Sequence, residues 1–189
     1  RIHLSTVELI EKFPVLTGHF GYTRGDPNPG SSRLITYKNR RGDYVVYGDL
    51  METEALFFRL SALPVAQWLA QRGHVLPPFH DERSARLSIL SVARIPIAGE
   101  AVPVATVGSE TLTLMHSICH RIIRLLAVRA GIERSALSEF LVPLHLGFYV
   151  YAAVRGDFVL GGLQAVFESE LDALLHDVVN EERRCALDP

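Results

Sequence analysis

The stretch ETLTLMHSICHRIIRLLAVRA, residues 110–130, constrains the fold more than any other part of the chain. Leu112, Met115, Ile118, Cys119, Ile122, Ile123, Leu125 and Leu126 wrap much of a single α-helix in apolar side chains. Such a helix must be buried on most of its circumference, and Gly131 supplies its stop. The rest of the chain therefore has to cover it. With 189 residues, 48% of them hydrophobic, there is material for one ordinary domain or two small lobes sharing a core.

The covering elements are shorter. STVELIEKF, with Ser5 or Thr6 as N-cap and apolar Val7, Leu9, Ile10 and Phe13, predicts a short helix ended by Pro14. GYTRGDPNPGSSR, 21–33, reads as a loop. RLITYK (33–38) and DYVVYG (43–48) predict a hairpin around a turn at 39–42, and EALFFRL (54–60) a third strand. A helix follows over 64–73, with Pro64 near its start and Gly73 at its end. HVLPPFHDERS is a break, 85–98 follows no clear period, and 95–108 reads as a linker or irregular crossing. Beyond the long helix, Ser135 is expected to cap a short helix through Phe140. A strand follows at 148–154, then a turn at 155–157. The amphipathic helix 168–184 places Leu171, Leu174, Leu175, Val178 and Val179 on one side.

The expected class is α+β: a small mixed domain with a short antiparallel sheet, a long buried helix at 110–130 and a C-terminal amphipathic helix. Its expected parts are a strand-rich lobe (1–73), a linker or crossing (74–109) and a helix-strand-helix lobe (110–189), the two lobes packed as one domain. No apolar run reaches the length needed to span a membrane. Two cysteines, Cys119 and Cys185, make no disulfide scaffold, and reduced thiols in the cytoplasm are the expectation.

The net charge of −2 gives no global attraction to nucleic acid, so any such contact must be a local patch. Seventeen basic residues are arginine and only Lys12 and Lys38 are lysine, which suits bidentate phosphate contacts, although a GC-rich genome gives the same bias. Arg24, Arg33, Lys38, Arg40 and Arg41 form the best candidate patch, with Tyr37, Tyr44 and Tyr47 on the same hairpin available for stacking. A solvated turn between ordinary tyrosine-rich strands is the bland alternative. Glu52 and Glu54 share a strand face without a nuclease motif, and a structural role is expected for them.

His116 and His120 are four apart and share a helix face. A zinc protease would place a glutamate between them as H-E-x-x-H, but Ser117, Ile118 and Cys119 intervene. With no third ligand within a turn or two, a hydrogen-bonded structural pair is expected, ahead of a metal pair or a functional surface. Cys119 is expected to be a small buried hydrophobe rather than a nucleophile.

The order of several motifs resembles the domain at the C-terminal end of MrfA-type DNA-repair helicases and the related helicase-partner protein DrmB of DISARM antiphage defence. The likeness rests on His116-Ser117-Ile118-Cys119-His120, Leu137-Ser138-Glu139, the strand Gly147 to Ala152, and Leu160-Gly161-Gly162-Leu163. Cys185-Ala-Leu-Asp188-Pro189 resembles the family's Cys-x-x-Asp-Pro, while Gly21-Tyr22-Thr23-Arg24 and Gly48 to Leu60 with Trp68 carry it into the first half. Residues 74–109 match poorly.

The resemblance implies a non-catalytic helicase-associated module. It would support DNA binding or assembly with an ATP-dependent helicase subunit or domain, with DNA contacted through the basic patch. It makes His116, His120, Gly161 and Gly162 structural signature positions. It also implies a four-cysteine zinc cluster of which only Cys185 is present, so zinc there would need a longer polypeptide; no cofactor is expected in this chain itself. No Walker A segment or Asp-Glu-x-His box is visible, and any ATPase would lie in a partner or another region. No membrane association or small-molecule substrate is expected. The alternatives are a protein–protein scaffold without direct DNA contact and, further off, a small hydrolase using His116 and His120 with Cys119 or Glu54.

Overall fold

The computed structural model describes residues 3–24, 33–97, 99, 104–153 and 161–180, with only the backbone of Arg24 and Arg33. Its class is α+β: a four-stranded sheet, a separate two-stranded sheet and five α-helices among the described residues. By internal packing the chain divides into two compact units, 1–13 with 54–189, and 14–53.

The sheet order is β1 (Leu4–His19), β4 (Tyr47–Leu60), β6 (Gly147–Ala152), β5 (Leu137–Val142), the larger unit taking residues 4–13 of β1 and 54–60 of β4. β6 pairs antiparallel with both neighbours, in the registers Phe57↔Tyr149 and Glu139↔Val150. The two-residue period of β4 sends Leu56, Phe58 and Leu60 into the main core, while Phe57 turns to the opposite sheet face. There Phe13, Phe57 and Phe140 gather around Tyr149, with ring centroids 5.2, 4.6 and 6.1 Å away. Gly147 is required beneath this cluster, because a Cβ would stand 2.7 Å from the Phe57 ring.

The core face of the sheet is covered by α3 (Val107–Ala130), whose Met115, Cys119, Ile122 and Leu126 are fully buried. Thr106 and Ser109 cap its start reciprocally, and Gly131 ends it at φ +65°. Around α3 pack α1 (Ala62–Gln71), α2 (Glu82–Val92), α4 (Gly162–Ser169) and α5 (Leu171–Asn180). Glu54 and Glu82 work as distant helix caps. Glu54 accepts from the N–H groups of Leu163 and Gln164 at 2.9 and 3.2 Å, and Glu82 from those of Ala62 and Leu63.

Several local expectations give way to the structure. The segment expected as a helix before Pro14 is the long strand β1, and Pro14 is tolerated because β1 is the outer strand of the sheet. The helix expected from Ser135 to Phe140 is a single 3-10 turn, Arg134–Ala136, followed by β5. Residues 74–109 are not merely a crossing, for α2 lies within them, started by a reciprocal cap between Asp81 and Ser84. The expected helix 168–184 is preceded by α4, which begins at Gly162, and α5 starts after a break at Glu170. The compact units also differ from a division at 73 and 110. Pairing of β4 with β6 ties 54–60 to 147–152, leaving 14–53 as the segment that stands as its own unit. No helix among the described residues is long and apolar enough to cross a membrane.

Candidate functional site

The basic patch lies in the 14–53 unit. There β2 (Gly21–Arg24) pairs antiparallel with β3 (Arg33–Thr36), placing the Arg24 and Arg33 backbones opposite each other. The chain continues through an antiparallel bridge between Lys38 and Tyr44 into the turn at 39–42. Asn39 organises this turn. Its Oδ1 accepts from the N–H groups of Arg41 and Asp43 at 2.8 and 3.0 Å, and its Nδ2 donates to Asp43 at 2.9 Å. Gly42 takes φ +89°, which completes the reversal.

Arg40 and Arg41 are consequently held at an exposed turn, and neither forms an ion pair with a described residue. Lys38 lies 5.0 Å above the Tyr44 ring, which is 75% exposed. Tyr22, Tyr37 and Tyr47 form a second aromatic row, with successive centroids 6.2 and 5.3 Å apart. The arrangement offers fixed positive charge beside accessible π-faces, the two elements of sequence-independent single-strand binding. It also leaves Leu16, Phe20, Leu34, Val46 and Leu50 of the same unit exposed.

The histidine pair lies in the larger unit and has a partner the sequence reading missed. His116 and His120 lie side by side along α3 with ring centroids 4.1 Å apart and planes tilted by 50°, and Glu139 reaches them from β5. His116 Nδ1 is 3.1 Å and His120 Nε2 3.4 Å from the same carboxylate oxygen, Glu139 Oε1. The other oxygen, Oε2, is buried and has no hydrogen-bond partner among the described residues. The two imidazoles and the carboxylate thus offer one ligand atom each, all within 4.8 Å of one another. The helix expected from Ser135 through Phe140 gives the Glu139 side chain no reason to face α3. The strand pattern LSEFLV carried the signal, since Leu137, Glu139 and Leu141 alternate onto one face.

The remaining candidates have structural surroundings. Cys119 is fully buried, and burial, followed by the Glu139 carboxylate, pushes its thiol far above the ordinary value, so it remains a neutral SH. Glu54 spends both carboxylate oxygens on the start of α4, whereas Glu52 is exposed. Gly161 takes φ +94° as the N-cap of α4, and a Cβ on Gly162 would press at 3.0 Å on Ile132. Cys185, the turn at 155–157 and the final Cys-x-x-Asp-Pro lie outside the described residues.

An apolar groove of about 710 Å³ in the larger unit is lined by His3, Leu60, Pro64, Trp68, Ile118 and Arg121 among others, and includes none of the candidate DNA-contacting or metal-binding residues. Compared with protein-family models, curated proteins and solved structures, the chain matches none.

Proposed function

We propose that this chain is a non-catalytic module serving an ATP-dependent helicase in DNA defence or repair, and that it grips a DNA strand through the 14–53 unit. The observation that carries this reading is the turn at 39–42, which holds Arg40 and Arg41 exposed beside Lys38 and the tyrosine rows. Phosphates would be met by the cations and unstacked bases by Tyr44 and its neighbours. The motif resemblance to helicase-associated domains supplies the motor and the setting. The neutral, buried Cys119 and the capped-off Glu54 support a non-catalytic role over a small hydrolase.

The test is fluorescence anisotropy with single-stranded and forked DNA over a series of salt concentrations. Replacing Arg40 and Arg41 together with alanine is expected to weaken binding and to reduce the slope of log K against log salt by about 1.4. Affinity and slope unchanged by the double substitution would refute the patch. The exposed Leu16, Phe20, Val46 and Leu50 favour a second reading, a scaffold docked on a protein partner. Stable co-elution with a helicase, with no binding to either DNA, would select that reading.

A further inference from the structure

We propose that His116, His120 and Glu139 form a zinc site that clamps the edge strand β5 onto helix α3. The site is independent of the DNA-gripping role above and stands on three observations.

First, the nitrogens converge. Two bonds of about 2.0–2.1 Å meeting near the tetrahedral angle set their donor atoms about 3.3 Å apart. His116 Nδ1 and His120 Nε2 stand 3.1 and 3.4 Å from Glu139 Oε1, so two of the three separations already match edges of a zinc tetrahedron, and all three ligand atoms lie within 4.8 Å of one another. Second, the carboxylate is only half used. Glu139 Oε2 is buried without a hydrogen-bond partner among the described residues, and a dication held at Oε1 would offset the cost of burying that carboxylate. Third, the chemistry matches zinc. Two histidines one helical turn apart with a carboxylate from another element make a His₂Glu donor set, which suits a borderline ion better than magnesium or calcium. The side chains of His116 and His120 are 46% and 33% exposed, so an ion has a path in and water can complete the coordination.

The bonds would join α3 to a strand at the margin of the sheet, whose one strand neighbour among the described residues is β6. The clamp differs from any cysteine cluster beginning at Cys185, both in ligand type and in location in the sequence.

The full chain, stripped by chelator dialysis, is titrated with Zn(II) against a chromogenic competitor and with Co(II) by visible absorption. The expected result is one equivalent of each metal, an intense four-coordinate cobalt spectrum and a rise in Tm on zinc addition. His116→Ala, His120→Ala and Glu139→Gln are each expected to bind zinc at least about 100-fold more weakly, since even outer-sphere changes weaken such sites 10- to 100-fold. Far-UV circular dichroism of the metal-free variants checks that they fold, and the cobalt spectrum of the unaltered chain tests the site without any variant. Absence of the spectrum and of the Tm rise overturns the proposal. So does equal affinity in a folded H116A/H120A double variant, or a thiolate-to-cobalt charge-transfer band placing the metal on cysteine.

Discussion

At the scale of single residues, the least replaceable positions are those where a side chain and its neighbour exclude any other arrangement. Gly147 is one: the Phe57 ring occupies the place of its missing Cβ, and the Phe58 carbonyl oxygen stands 3.2 Å from it. Gly147→Ala is expected to destabilise the fold by about 1–3 kcal/mol, the usual range for overpacking a filled site. Urea unfolding measures this, and the loss should be smaller in a Phe57→Leu background, where the obstructing ring is gone. Equal losses in both backgrounds would show that the strain lies elsewhere. The histidines belong to this scale as well. Their i, i+4 relation was legible in sequence, but the carboxylate between them was not, because Glu139 follows His120 by a helix end, a reversal and half a strand.

At the scale of elements, long-range carboxylates decide how helices meet. Glu110, near the start of α3, receives Arg72 from the end of α1, with Arg72 Nη2 donating to Oε1 at 2.8 Å. Hydrogen bonding to Arg72 holds the Glu110 carboxyl below its ordinary value against an opposing desolvation. Arg129, at the end of α3, similarly holds Asp177 of α5 low. A depressed carboxylate contributes stability above its unfolded pKa, and that contribution is lost as the pH falls through the folded value. The urea midpoint is therefore expected to fall as the pH is lowered from about 5 into the acid range. Glu110→Gln should make that fall shallower, and a parallel pH profile would remove Glu110 from the account.

Element identity itself was legible where length settled the period, as in the long helix around Met115, Cys119, Ile122 and Leu126. It was not legible at Val7, Leu9 and Ile10, whose spacing serves either period, and there pairing along the edge of the sheet decides. The alternation in the six residues of β5 is too short to decide the element by itself, and their antiparallel register with β6 makes them a strand. α2 announced itself only through the Asp81–Ser84 cap, which in the sequence looked like another turn.

At the scale of the whole molecule, the chain leaves the larger unit at Phe13 and returns to it at Glu54. The two strands that carry these ends, β1 and β4, are neighbours in the sheet. Ser61 N–H donates to the His3 carbonyl at 2.8 Å, and the Ser5 hydroxyl donates to the Arg59 carbonyl at 3.3 Å. Replacing 14–53 with a short Gly-Ser linker is expected to leave the larger unit folded, with near-native far-UV circular dichroism and a cooperative melt, while abolishing DNA binding. Loss of the cooperative melt would show that the smaller unit is needed for folding.

The carboxylate cap on α4 has a kinetic consequence. Glu54 and Leu163 are 109 positions apart, and the eight residues of α4 are too few to hold a helix unaided in water. The chain must close one of its longest loops before that cap exists, so α4 belongs to the late steps of folding rather than to its nucleus. In synthesis, residue 54 emerges well before residue 163, and Glu54 on the core-bound stretch of β4 waits without these donors until the last third of the polypeptide arrives to supply them.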